Sequence, residues 1–455
     1  MPVGVLGEVR RQALKKISDS LQENVHELKN ILHADKNFDL IYREQKLGDK
    51  DAGFFFIDGF IKDTIMERLL KSFSDLKDTD IPANAGEFSD KYIPYVEVDL
   101  LDDVEDIVTA VLSGVACYFV DGYSECMAID CRTYPMRSVD EPWKDRVLRG
   151  SRDGFVETIV SNVALIRRRI RDPRLCVEIL HAGIKSRTDI SVAYLEGVAD
   201  MKLLRKIKDK IEQLDVEALT MNIESLAEAV LDGPYINPFP KFKYTERPDT
   251  AAASILDGNI VLIVDNSPAV IVVPASIFDV MEEADDFYFP PIVGNYIRFS
   301  RFIMSVLTLI LTPMWMALIE YPEKLPDWLA FINLTDEANI HVFWQLIILE
   351  FAIDGLRLAA VNTPTMLYMA FVAIGTYAQA NFELGYAIKF FRLITLVLTY
   401  LFYWWGFFAG VIITLLAIAF NNTISGESYI YPIVPFDGKK LIRKLFRVRL
   451  PRNNA

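Results

Sequence analysis

Residues 393–420, LITLVLTYLFYWWGFFAGVIITLLAIAF, run for 28 positions without one charge. A helix of that length reaches about 42 Å at 1.5 Å per residue, against about 30 Å of bilayer hydrocarbon. A soluble core helix has no use for so long an uncharged run. A second apolar run, YIRFSRFIMSVLTLILTPMWMALI, occupies 296–319. Together they mark 296–420 as a membrane block, with the lipid bilayer as its first partner, and leave the preceding residues as a soluble part held beside it.

Charge separates the same two parts. The chain has 455 residues and a net charge of −14, yet positions 296–455 hold 10 acidic and 13 basic residues. The acidity lies in the first 295 residues, which argues against nucleic acid as a partner. Cys117, Cys126, Cys131 and Cys176 show no ligand spacing, and with four histidines no metal site or cofactor is expected. The first residues, MPVGVLGEVRRQALKK, contain no apolar signal core. Arg298 and Arg301 flank the first apolar run, so the positive-inside rule places the soluble part in the cytoplasm.

Periodicity predicts an amphipathic helix within residues 1–36, with Leu14, Ile17, Leu21, Val25, Leu28 and Leu32 on one stripe. Residues 37–148 alternate strand-like and helix-like segments and are expected to form one α/β subdomain. A helical connection and a second α/β subdomain are expected over 149–295. The two share a unit 144 residues apart: VLSG before CYFVDGY, and ILDG before LIVDNSP. In each, a helix ends at glycine (Gly114, Gly258), a strand follows, and Asp121 or Asp265 opens a hairpin turn. Coincidence of common turn chemistry is the competing reading.

No phosphate-cradling glycine loop, metalloprotease helix or nucleophile elbow is present, so an enzyme is not expected. The basic cluster Arg167, Arg168, Arg169, Arg171 and Arg174 reads as a solvated face or internal ion pairs; anionic lipid or an acidic partner is the alternative. Arg149, Arg152, Asp153 and Glu157 in RGSRDGFVE, with Glu246 and Arg247 in the proline-bracketed KFKYTERPD, are candidate interdomain or partner contacts.

Within the membrane block, residues 339–360 form the informative helix. At 100° per residue Glu350, Asp354 and Arg357 fall within about 60° of one face. Charges at membrane depth face a bundle interior or water, so this stripe is a candidate ion path; an internal Glu350–Arg357 and Asp354–Arg357 cluster, or a helix lying in the interface, is its structural rival. Residues 421–455 form a basic tail expected in the cytoplasm.

RGSRDGFVETIVSNVALIRRRIRDPRL, then NPFPKFKYTERPDTAAASILDGNIVLIVDNSPAVIVVP, then GNYIRFSRF, resemble the bacterial spore germinant-receptor A-subunit (GerA) family. The resemblance implies a cytoplasmic α/β region of two subdomains followed by an α-helical multi-span membrane domain, in the spore inner membrane. It further implies a homo-oligomer that passes ions during germination, with other germination membrane proteins as partners. Rival readings are an ion-coupled transporter regulated by its cytoplasmic domain, a nutrient-sensing receptor subunit, and an enzyme. One departure stands out: the family pattern carries a further apolar segment after NTPT, where this chain passes straight into MLYMAFVAIGTYAQANFELG. Ordinary spans then cannot place both the Lys389–Arg392 region and the tail inside: either the loop charges lie outside, or the last run bends near Trp404-Trp405-Gly406, or a deletion impairs this member.

Overall fold

The computed structural model describes residues 15–93, 97–134, 151–230, 237–283, 285–320, 327–332, 339–361, 382–438 and 440–441. The chain divides into two units. One takes in residues 151–231 and 244–273 with the chain up to 146; the other is built mainly from 274 onward.

The first unit is a tandem repeat. Its first half runs α1 (Leu21–Ile31), β1 (Leu40–Leu47), β2 (Lys50–Ile57), α2 (Asp63–Ser74), α3 (Ala85–Tyr92), β3 (Val98–Leu101), α4 (Val104–Leu112), β4 (Ala116–Val120) and β5 (Cys126–Ile129). Its second half runs α5 (Ile159–Arg167), β6 (Leu175–Ala182), β7 (Thr188–Leu195), α6 (Met201–Glu212), α7 (Ile223–Val230), β8 (Lys243–Thr245), α8 (Pro248–Leu256), β9 (Ile260–Val264) and β10 (Val270–Val273). The sheets are ordered β1-β2-β4-β5-β3 and β6-β7-β9-β10-β8, the same topology twice.

The likeness extends to single atoms. Asn24 Oδ1 accepts the Ser18 N–H at 2.8 Å and its Nδ2 donates to the Ser18 carbonyl; Asn162 does the same with Val156. Asp121 Oδ1 accepts the N–H of Leu21, the first residue of α1, at 3.0 Å. Asp265 Oδ1 accepts that of Ile159, the first residue of α5, at 3.2 Å. These aspartates therefore satisfy an orphan donor at a helix start as well as opening their turns. The shared unit seen in the sequence is the end of a complete duplication.

Each central strand is apolar on both sides, as a strand sandwiched between helix layers must be. All five residues of β4 and of β9 are buried. In the first repeat Ile107 and Val111 of α4 fill one face of the sheet, while Phe73 of α2 and Phe88 of α3 fill the other. Gly114 has φ +89 and lies under Phe60, where a Cβ would meet the ring at 2.8 Å; only glycine meets both demands.

One sequence expectation shifts. The amphipathic helix expected within 1–36 is described only over Leu21–Ile31, because residues 15–20 run extended to reach Asp102 and Asp121. Edge strand β1, LIYREQKL, is half polar and carries no clear period-2 signal.

The second unit contains α9 (Ile277–Met281), α10 (Asp285–Tyr288), α11 (Pro291–Glu320), α12 (Val342–Val361) and α13 (Phe382–Ala419). Two helical stretches, Pro291–Glu320 and Leu384–Ala419, are long and apolar enough to cross a membrane. Much of their apolar surface is uncovered, including Leu311, Leu401, Trp405 and Phe408. The 38 residues of α13 do not form one rod. Tyr403 has φ 57 and ψ −133, which ends one helix and starts another. A Cβ on Gly410 would lie 2.7 Å from the Cα of Thr395, whereas residues 15 apart on a straight helix are about 22 Å apart. The run is a helical hairpin with arms 382–402 and 404–419. Gly406 and Gly410 let the arms touch, and the Thr395 and Thr399 hydroxyls donate back to the carbonyls four residues earlier. The bend at Tyr403 lies beside Trp404-Trp405-Gly406, the place named for it in one of the alternatives read from the sequence. Residues 362–381, which contain most of MLYMAFVAIGTYAQANFELG, lie outside the described residues.

Candidate functional site: an ion-pair quartet between two apolar helices

Glu350 and Asp354 sit four residues apart on α12, one turn of a single face. The first arm of α13 places Lys389 and Arg392 opposite them. Lys389 Nζ lies 2.5 Å from Asp354 Oδ2 and 3.3 Å from Glu350 Oε2, and donates to the Glu350 carbonyl at 3.1 Å. Arg392 Nη2 lies 2.5 Å from Glu350 Oε1. Glu350 thus bridges both bases, and Lys389 bridges both acids. The side chains are 12, 27, 8 and 15 % exposed for Glu350, Asp354, Lys389 and Arg392.

Two acids and two bases cancel. A lone charge at the centre of a membrane helix costs about 2.5–3.5 kcal/mol on insertion scales, and the cost falls when a partner is within reach. Two buried polar atoms of the quartet remain without a hydrogen-bond partner among the described residues: Asp354 Oδ1, an acceptor, and Arg392 Nε, a donor.

The predicted stripe is partly assembled. Glu350 and Asp354 share a face and face inward, while the Arg357 side chain lies outside the described residues. The bases that answer the acids come from another helix. Sequence reasoning used Lys389 and Arg392 only to orient the chain; their spacing of three on an apolar helix was the signal that they share a face.

Around the quartet the second unit is pinned at both ends. Arg298 pairs with Glu282 at 2.8 Å, and Arg301 with Asp286 at 2.8 Å and Glu283 at 3.0 Å. Those arginines are locally neutralised by three acids, which weakens them as orienting charges. At the other end of α11, Glu320 pairs with His341 at 2.9 Å, and the His341 ring meets Tyr400 edge-on.

The other candidate residues fall inside the second repeat. Arg247 is fully buried; it donates to the Ser151 carbonyl at 2.8 Å and pairs with Asp249 at 2.7 Å. The Glu246 carbonyl accepts the Phe155 N–H, and the Glu157 carbonyl accepts the Asn266 N–H. Asp153 pairs with Arg169. Burial pushes the Asp153 carboxyl up, but its bonds with Arg169 and Ser151 outweigh that and hold it below the ordinary carboxylate range. Arg152 is exposed, and Arg149 lies outside the described residues. Residues 151–157 and TERPD are thus laid against each other as one seam. Of the basic cluster, Arg167, Arg169 and Arg174 are in ion pairs, and Arg168 stacks over Tyr134.

All four thiols are buried and free, and burial pushes Cys131 and Cys176 up to about 11, far from a reactive thiolate. Among the described residues no group of three or more His, Cys, Asp or Glu could hold a metal ion.

Tandem α/β repeats joined to long, uncovered apolar helices define a membrane-associated protein. The chain belongs to the GerA family: the family described as Bacillus/Clostridium GerA spore germination protein matches residues 26–367 and 361–455, a join that falls at the NTPT segment. Stage V sporulation protein AF of Bacillus subtilis is 33 % identical over 94 % of this chain and 92 % of its own length. Spore germination protein KA of the same organism is 25 % identical over 95 % and 85 %. Among solved structures, the N-terminal domain of the A subunit of the Bacillus megaterium spore germinant receptor GerK3 is 24 % identical, covers 58 % of this chain and 98 % of its own, and superposes with a TM-score of 0.46.

Proposed function

We propose that this chain is a multi-span, non-enzymatic subunit of a spore germination complex in the spore inner membrane, assembled from several copies with other germination membrane proteins, and that its quartet sits on an ion path. The observation that carries the reading is Glu350 and Asp354 neutralised by Lys389 and Arg392 between apolar helices, with one acceptor and one donor unfilled. The hairpin supports a topology of four crossings. Helix α11 leads away from the α/β side, α12 returns, and the two arms of α13 go out and back. The soluble part, the Lys389–Arg392 end and the tail then share the cytoplasmic side, which is what the basic residues require.

In that arrangement the pairs close the path, and ions pass when the pairs part. Passive, selective flux through proteoliposomes containing the full chain and its partners is the expected result. Glu350→Gln with Asp354→Asn leaves two bases uncompensated and is expected to lower cation flux at least tenfold. Unchanged flux would remove the quartet from the path, and uptake that follows an ion gradient would make the protein a transporter.

A further inference from the structure

The two repeats meet face to back. From the first repeat, Asn37 Oδ1 accepts the Val177 N–H at 2.7 Å, and the Phe38 N–H donates to the Val177 carbonyl at 3.2 Å. Asp39 pairs with Arg167, both at most 2 % exposed. A Cβ on Gly59 would lie 3.0 Å from Val160 and 3.3 Å from Ala164. The first repeat therefore presents its 37–39 loop and 58–60 turn, and the second receives them on α5 and the free edge of β6. Because the topology is duplicated, each repeat carries both surfaces, and one of each is left over.

The spare receiving surface is α1 with the edge of β1. Asn24 stands where Asn162 stands, so Gln22, His26 and Lys29 occupy the places of Val160, Ala164 and Arg167. Ala164 and Arg167 are buried; Gln22, His26 and Lys29 are exposed. Tyr42 lies opposite Phe55 as Val177 lies opposite Ala193. The tight turn closes on the Leu47–Lys50 pair, and alternation from there points the Tyr42 N–H and C=O away from β2, as at Val177. Gln22, His26, Lys29 and Tyr42 border an open groove of about 450 Å³.

The spare presenting surface lies on the second repeat. The Leu175 N–H donates to the Asp172 carbonyl as Leu40 does to Asn37, so 172–174 matches 37–39. Glu196 N–H donates to the Arg174 carbonyl as Asp58 does to Asp39, so Gly197 matches Gly59. Phe60 and Leu112 are 0 and 3 % exposed, whereas their counterparts Val198 and Leu256 are 45 and 51 % exposed. The outer face of α1 is polar, so a partner there is met by hydrogen bonds more than by apolar burial. The opposite end, with Val198 and Leu256 uncovered, points to a covering partner.

We propose that the presenting surface of one copy docks on the receiving surface of a second copy of this chain, repeating between molecules the contact that joins the repeats within one. Such an interface is heterologous, closing into a ring only where the rotation between copies closes. The charges are not copied: Lys29, in the place of Arg167, faces Arg174, in the place of Asp39, and Asp172 stays paired with Arg174 at 2.7 Å. The contact therefore lacks the ion pair of the internal one and is weaker. This rests on the oligomeric reading above and specifies its interface.

The test uses the full chain in nanodiscs, with the buried native thiols as a silent background. Chains carrying His26→Cys are mixed with chains carrying Gly197→Cys, whose internal counterparts approach to near disulfide distance. Val198→Cys repeats the pairing without altering a left-handed glycine. Disulfide-linked dimers only from the mixed pairs are expected. Crosslinks from His26→Cys chains alone, or no crosslink in particles heavier than one copy, overturn this interface while leaving an oligomer standing. Particles of one-copy mass overturn both readings.

Discussion

At the scale of single residues, the strongest commitment in the α/β unit is the Asp39–Arg167 pair with Asn37 beside it. Arg167 Nη2 donates to Asp39 Oδ1 at 2.7 Å and to Asn37 Oδ1 at 3.1 Å. A buried pair costs desolvation to form, but removing one member strands the other at about 3–5 kcal/mol. Arg167→Ala is therefore expected to raise amide hydrogen exchange in β6 and β7 about 100-fold or more, at 1.4 kcal/mol per tenfold. Arg167→Met combined with Asp39→Leu removes both charges and is expected to lose much less. Equal loss in the two variants would mean that packing around the guanidinium, not its charge, holds the repeats together. The sequence displayed Arg167 as one of five basic residues; that it alone is buried follows from its place on α5, facing the 37–39 loop.

At the scale of elements, the hairpin of α13 is the decisive structure. Composition cannot separate one long helix from two short arms, because both are apolar throughout. What separates them is Tyr403 in a positive-φ conformation and two glycines where the arms touch. Gly410→Leu puts a side chain into Thr395 and is expected to part the arms. A disulfide between Phe391→Cys and Ala417→Cys, whose parent residues share a core cluster, should form in an otherwise native chain and be lost when Gly410→Leu is added. A disulfide that survives would show that the arms meet without the glycine.

At the scale of the molecule, the four-crossing topology proposed above makes a directional prediction. Cysteines at Ser425 and Lys440 are expected to react with an impermeant thiol reagent from the same side as one at Arg152, and a cysteine at exposed Trp405 from the opposite side. Labelling of Trp405→Cys and Lys440→Cys from one side would undo the hairpin crossing. The sequence alone determined the two-part organisation, because uncharged length and charge balance are summed along the chain and need no partner. It also displayed half of the duplication, since the glycine-capped helix, strand and Asp turn lie within a few residues of one another. Only tertiary structure could extend that unit to a whole repeat, whose edge strands are polar and whose matching asparagines bond across six residues. It also decided the fate of the charged stripe. Helical periodicity put Glu350 and Asp354 on one face, but their partners, Lys389 and Arg392, are brought up by packing of a separate helix, and no local spacing encodes that meeting.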